Sequence, residues 1–265
     1  MEIVPLPTAA DVARLAADTI EGLVRRRAAD GQPAVLGLAT GSTPLPTYAE
    51  LIARHRAGTG PSYAGVRTFN LDEYVGLPPG HELSYLATIR RDLTDPLGIP
   101  PELVHGPDPD EAGLPTAGER YEEELRAAGG VDLQLLGIGT DGHVAFNEPG
   151  SSLASHTRIK TLEEQTRQDN ARFFGAPDDV PHHVLTQGLG TILRARHLLL
   201  IATGESKAEA VATAVEGPLS ASCPASVLQL HPHATVLLDE AAASRLERAV
   251  HYRFVYEGKP AWQGL

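Results

Sequence analysis

Residues 34–48 read AVLGLATGSTPLPTY, and the order of those residues decides the fold. The run AVLGLA has no polar alternation, which is the pattern of a short strand buried on both faces. TGST follows at once, and Pro44 suits the first turn of a helix that carries Tyr48, Leu51 and Ile52. A buried strand passing through a glycine turn into a helix is half of a βαβ unit, because parallel strands need such a crossover. The alternation extends outward in both directions. Thr8 is placed to cap a helix running to about Asp30, with Val12, Leu15, Ala16, Thr19 and Leu23 on one face. Residues 66–71, 132–138, 197–202 and 234–238 read as strands, and residues 84–94, 115–128 and 206–216 as helices. The expected fold class is α/β: one domain over residues 1–265, with a mostly parallel sheet covered by helices on both faces. No linker, low-complexity stretch or internal repeat divides it.

Composition narrows the function. At 265 residues and 42% hydrophobic content the chain is long enough for one large core. A formal charge of −12 argues against nucleic acid and anionic membranes as main partners. An anionic substrate is still compatible, since a few local cations can dominate a pocket. The sole cysteine, Cys223, rules out an internal disulfide and reads as a small buried apolar residue. No apolar run reaches transmembrane length, and the opening MEIVP lacks a basic region before an apolar core. The expectation is a soluble, cytoplasmic protein.

In sheets of this kind, functional residues gather beyond the carboxyl ends of the strands. Four predicted strand exits carry chemistry: residues 40–43, 72–74, 140–148 and 203–207. The richest is GIGTDGHVAFNEPGSS, residues 137–152, which packs Asp141, His143, Asn147 and Glu148 close together. Histidine titrates near neutrality, and a neighbouring carboxylate fixes its tautomer and stabilises its charged form. The same stretch matches GxGxxG after a strand, the dinucleotide fingerprint. That fingerprint needs a helix to begin at once, and Asn147-Glu148-Pro149-Gly150 breaks any helix within one or two turns. Glu163 lies at a suitable distance for a ribose contact, but no apolar strand precedes it. The nucleotide reading is rejected. The glycines instead let the backbone approach a small substrate.

The other exits supply complementary parts. Gly41, Ser42 and Thr43, at a helix N-terminus, form either a phosphate cradle or a tight capped turn; the GK[ST] ending of a Walker loop is missing. Lys207, in TGESK, opposes the dipole of the helix it opens, which makes better sense if an anion lies nearby; against that, a lone lysine is more often an ordinary solvated surface residue. Arg172, in ARFF, is either a second phosphate clamp or an arginine stacked on aromatic rings. Asp72 and Glu73 stand where an apolar strand stops, either as a surface turn or to abstract a proton beside a carbonyl. His182-His183 and His231-Pro-His233 match no standard zinc spacing, so they read as scattered surface histidines and no metal is expected.

Taken together these motifs resemble the glucosamine-6-phosphate deaminase family. LGLATGSTPLPTY, FNLDEYVGLP, GIGTDGHVAFNEPGSSLASHTRIKTL, ARFF, TGESKA and LQLHPHATVLLDE occur in order across nearly the whole chain. The resemblance implies a Rossmann-like sugar-phosphate isomerase fold. It also implies amino-sugar catabolism: glucosamine 6-phosphate and water become fructose 6-phosphate and ammonia, without an organic cofactor. His143, in a relay with Asp141 and Glu148, would open the pyranose ring, and Asp72 would carry the C2 proton to C1. Gly41, Ser42, Thr43, Arg172 and Lys207 match the phosphate site. Family members are often hexamers, and some are activated by N-acetylglucosamine 6-phosphate at a subunit interface. Ser151, Arg158, Lys160 and Thr161 match that effector site, with Tyr252 as its C-terminal aromatic, although the tail YRFVYE departs from the usual spacing. A homo-oligomer is therefore expected. Two other readings share the fold. A sugar-phosphate lactonase would not need FNEPGSS or FNLDEYVG, both intact here. A non-enzymatic sugar-phosphate effector-binding module would need a DNA-binding extension, which the sequence lacks.

Overall fold

The computed structural model describes residues 1–260 and 262–265, without the side chains of Glu111, Gln165, Asp169, Arg172, Phe173 and Pro177. The chain begins with β1 (Glu2–Leu6) and α1 (Ala9–Ala29), whose Thr8 hydroxyl accepts a hydrogen bond from Asp11 N. There follow β2 (Val35–Leu38), α2 (Leu45–Arg56), β3 (Arg67–Asn70), β4 (Asp72–Val75) and α3 (Tyr85–Ile89). A π-helical turn, Arg90–Thr94, continues α3. Next come β5 (Val104–His105), α4 (Leu114–Ala127), β6 (Leu133–Leu136), β7 (Arg158–Thr161) and α5 (Glu164–Phe174). The chain finishes with β8 (His183–Thr186), α6 (Leu189–Ile192), β9 (His197–Ala202), α7 (Ala208–Glu216), β10 (Ala234–Asp239) and α8 (Ala249–Glu257).

The main sheet has the order β1-β10-β9-β6-β2-β3-β5, and every neighbouring pair in it is parallel. Alternate residues of its strands feed two cores. Leu36, Leu38, Leu133, Leu135, Leu199 and Ile201 pack under α1, α2 and α3. Val35, Leu136, Leu198, Leu200, Val236 and Leu238 pack under α4, α6 and α7. Burial on both faces explains why β2, β6, β9 and β10 lack polar alternation. Each buried leucine or valine contributes about 1.5–3 kcal/mol. The α/β class and the mostly parallel, doubly covered sheet are as read from the sequence.

Several details differ. The sequence reading has no second sheet, yet β4, β8 and β7 form a three-stranded antiparallel one, packed on Tyr74, Phe146, Leu162, Val180 and Val184. Asp72 and Glu73 therefore open a strand rather than a surface turn. On α1 the buried face is Val12, Ala13, Ala16, Ala17, Ile20 and Val24, while Leu15, Thr19 and Leu23 are only partly covered. The small alanines let the helix sit close to the sheet, which rotates the buried stripe. The MEIVP segment, read only for the absence of a leader, forms β1. His231 is buried and its ring Nε2–H donates to Ala195 O at 2.8 Å, so the surface assignment fails for it; His182 and His183 are exposed as expected. Cys223 is buried. No helix among the described residues is long and apolar enough to cross a membrane.

Candidate active site

Because all strands of the main sheet run the same way, their carboxyl ends share one edge. The four strand exits singled out in the sequence belong to β9, β6, β2 and β3, which are consecutive in the sheet. From β2 the chain winds outward to β3 and β5, and from β6 it winds the other way to β9 and β10. The reversal lies between β2 and β6, where ligands bind in open α/β sheets. The loops after β2 and β6 flank that point directly: a Cβ on Gly137 would lie 3.9 Å from the Thr43 Cβ.

The loop after β6 is a tight turn. Gly139 N donates to His143 O at 2.9 Å and Gly142 N donates to Gly139 O at 3.1 Å. Gly142 has φ 85°, a left-handed conformation that a side chain would resist. Gly139 is needed for a different reason. A Cβ there would sit 2.2 Å from His143 Nδ1 and 2.6 Å from Asp141 Oδ1, so the imidazole and its carboxylate lie directly over the bare glycine.

His143 Nδ1 and Asp141 Oδ1 are 2.6 Å apart, and His143 N also donates to that oxygen at 3.1 Å. An ionised carboxylate can only accept, so the bond places the ring proton on Nδ1 and leaves Nε2 to exchange protons with a ligand. Burial pushes the Asp141 carboxyl up, but the hydrogen bond and charge of His143 outweigh it and hold it below the ordinary range. Both side chains are partly open, 28% exposed for His143 and 38% for Asp141.

Glu148, expected in the same relay, is buried and accepts at Oε1 from Glu163 N at 3.0 Å and Thr166 Oγ1 at 2.7 Å. These bonds tie the loop after β6 to the start of α5, while the bond to His143 belongs to Asp141. Asn147 is also buried; its Nδ2 donates to Val144 O at 3.0 Å and Gln187 O at 2.8 Å.

Asp72 lies at the first position of β4, buried, and no described N–H or O–H group donates to its carboxylate. Burial, and then the charge of adjacent Glu73, push it up to about 8. Its neighbour is fully bonded. Glu73 accepts from Tyr74 N at 2.9 Å, Tyr85 N at 2.8 Å and Leu86 N at 2.9 Å. Gln187 links the two halves of the site: Gln187 N donates to Leu71 O, Gln187 Nε2 donates to Asn70 O, and Gln187 O accepts from Asn147. Sequence reasoning missed Gln187, because a glutamine more than a hundred residues from Asn70 leaves no local signal.

Gly41, Ser42 and Thr43 lie in the turn between β2 and α2, and Tyr48 OH braces that turn by donating to Ala39 O at 2.6 Å. Lys207 ends a 3-10 turn, Glu205–Lys207, at the mouth of α7. Gly204 N, just before that turn, donates to both oxygens of Asp239 at the end of β10. The Arg172 side chain lies outside the described residues. Of the effector candidates, Arg158 and Lys160 occupy the same face of β7 and Thr161 the exposed one. Burial without an opposing charge pulls the Arg158 guanidinium down. Ser151 is buried, and Tyr252 lies on α8 against the larger core cluster, apart from β7 in the chain. Among the described residues, no group of three His, Cys, Asp or Glu side chains is disposed to hold a metal ion.

The family model of glucosamine-6-phosphate isomerases and 6-phosphogluconolactonases matches residues 7–237. A glucosamine-6-phosphate deaminase of Arthrobacter sp. (strain FB24) is 62% identical over 265 residues, covering the whole of both chains. One of Streptomyces coelicolor is 57% identical, again over the whole of both. A solved monomeric glucosamine-6-phosphate deaminase aligns with a TM-score of 0.88 at 40% identity, over 92% of this chain and all of its own. The 6-phosphogluconolactonase of Trypanosoma cruzi aligns with a TM-score of 0.74 over 93% of this chain and 97% of its own, and at 22% identity it shares the fold alone. With the family model spanning most of its length and full-length relatives above half identity, the chain belongs to the glucosamine-6-phosphate isomerase/6-phosphogluconolactonase family.

Proposed function

We propose that the protein converts glucosamine 6-phosphate and water to fructose 6-phosphate and ammonia. The observation that carries this reading is the division of labour in the site: a His143–Asp141 pair for oxygen-bound protons and, on a separate strand, a buried, undonated Asp72 of raised basicity. His143 Nε2 moves the proton between O5 and O1 and opens the ring. Asp72 then takes the proton from C2 and returns it to C1, while O1 gains the proton that the amine gives up, which leaves a C2 imine that water hydrolyses to the ketone and ammonia. A carboxylate titrating near neutrality is a stronger base toward carbon than an ordinary one. Hydrolysis of a lactone needs no such second base, and the full-length deaminase relatives also weigh against that alternative.

Gly41, Ser42, Thr43, Lys207 and Arg172 form the phosphate site in this reading, and Glu148 supports the catalytic loop through α5. Regulation by N-acetylglucosamine 6-phosphate at Ser151, Arg158, Lys160, Thr161 and Tyr252, in a homo-oligomer, is its outer part. The shared face of Arg158 and Lys160 supports a second phosphate position. Incubation with glucosamine 6-phosphate should release ammonia and fructose 6-phosphate in equal amounts, and 6-phosphogluconolactone should be hydrolysed no faster than in buffer. The opposite preference overturns the proposal.

A further inference from the structure

We propose that Glu73 is a positioning residue that makes proton abstraction by Asp72 conditional on a cationic group at C2 of the substrate; this rests on the deaminase reading above. The geometry sets two carboxylates on consecutive residues of one buried strand, where side chains alternate faces, and treats them differently. Glu73 receives three backbone N–H groups, from Tyr74, Tyr85 and Leu86, divided between its two oxygens. Burial pushes the Glu73 carboxyl up, and the three N–H bonds oppose that rise, because protonating either oxygen would set an O–H against those donors. They also pin the start of α3 to β4, which holds the negative charge one residue from Asp72.

Asp72 receives no such compensation from the described residues. Opposite it on β8 stands Thr186, and the one titratable residue of β8, His183, lies at the far end of the strand pair against Val75. The ionisable groups that sense Asp72 from its own strand, α3 and α4 are Glu73 and the phenols Tyr74, Tyr85 and Tyr121. No basic side chain among the described residues offsets the second charge. With its carboxyl titrating at about 8, Asp72 is about one-tenth ionised at pH 7 in the free protein.

A ligand with an ammonium at C2 supplies the missing cation. On docking, the Asp72 carboxyl loses its proton to solvent, and the resulting carboxylate faces the ammonium and the C2–H bond it then attacks. A sugar phosphate with a hydroxyl or acetamido group at C2 brings no charge, so it leaves the base protonated. Glu73 thereby contributes to selection of the amino sugar without touching it.

The test uses two unreactive open-chain ligands, 2-amino-2-deoxyglucitol 6-phosphate and glucitol 6-phosphate, titrated calorimetrically at pH 7 in buffers of differing ionisation enthalpy. The phosphates are common to both, so the difference in proton release isolates the C2 group. The amino ligand should release close to one proton more per site than glucitol 6-phosphate, and Glu73→Gln, which removes the charge but leaves the burial of Asp72 in place, should reduce that difference. The variant should also move the acid limb of kcat/KM toward lower pH, which a purely structural role would not do. If Glu73→Gln does not fold, the 13C titration of the Asp72 carboxyl in the parent carries the test. It should titrate near 8 in the free protein and fall with the amino ligand alone. Equal proton release by both ligands, or an Asp72 already charged at pH 7, overturns the inference. Absence of ammonia release from glucosamine 6-phosphate overturns the deaminase reading instead, and leaves the proton-release result to decide the Asp72–Glu73 coupling.

Discussion

Replacing Gly139 by alanine adds one methyl group directly beneath the His143 imidazole. Gly139 has no positive φ, so its backbone accepts alanine without strain. The new Cβ would lie 2.2 Å from His143 Nδ1, 2.3 Å from Cε1 and 2.6 Å from Asp141 Oδ1, and ordinary contact begins at 3.4 Å. The ring must therefore retreat by about 1.2 Å and the carboxylate by about 0.8 Å, in ways that cannot both preserve their 2.6 Å bond. A displacement of this size at a reacting group costs on the order of 10²-fold in rate, or about 2.7 kcal/mol. Both side chains are partly exposed and turn outward without disturbing the core, so the cost to folding should stay within about 0.5 kcal/mol. The assay is ammonia release from glucosamine 6-phosphate at saturation, with thermal unfolding alongside. A folded Gly139→Ala enzyme with parental turnover would refute the claim that the His143–Asp141 geometry governs the reaction.

Asp72→Asn keeps the shape of the side chain and removes the base, so turnover should fall by on the order of 10²-fold or more with substrate affinity retained; isothermal titration and ammonia release separate the two effects. Lys207→Met should raise KM about 5- to 150-fold, equivalent to 1–3 kcal/mol of phosphate binding, with little change in kcat. N-acetylglucosamine 6-phosphate should lower the half-saturating substrate concentration, and Lys160→Ala should remove that effect while sparing turnover at saturation; identical saturation curves for the parent with and without the effector dispose of the regulatory site. Burial, followed by the charges of His233 and His231, depresses His197 to about 3. The unfolded chain then binds more protons than the native protein between the ordinary imidazole range and pH 3, so stability falls as pH drops through that window. The slope approaches about 1.4 kcal/mol per pH unit, and His197→Asn should flatten it in denaturant titrations.

What the sequence made legible follows from where the signals are local. VLGL, LQLL, HLLLIA and ATVLLD are buried on both faces and announce themselves as strands. The small sheet is built from DEYV, RIKT and HVLT, whose polar and charged residues carry little hydrophobic pattern, and its register depends on distant partners. Strand β1 contains Pro5, which a central strand would exclude; it is tolerated because β1 is an edge paired only with β10. In the site, Asp141 and His143 are two residues apart, so their pairing could be anticipated. Glu148 could be placed in the loop but not bonded, since its donors come from Glu163 and Thr166 beyond β7. The three amides on Glu73 come partly from α3, across a loop that no spacing rule connects.

The edge pairing of β1 has a consequence for how the protein is made. Glu2 aligns with Thr235, and the two ends are further joined by Lys259 Nζ on Glu2 at 2.6 Å. At roughly 5–20 residues per second, a growing chain holds its first strand without a partner for on the order of 10–50 seconds until β10 leaves the ribosome. β2, β3, β6 and β9 can assemble in the meantime, so β1, made long before its partner, is among the last to dock. Its apolar residues Ile3 and Val4 are open to chaperones or to unwanted pairing throughout that wait.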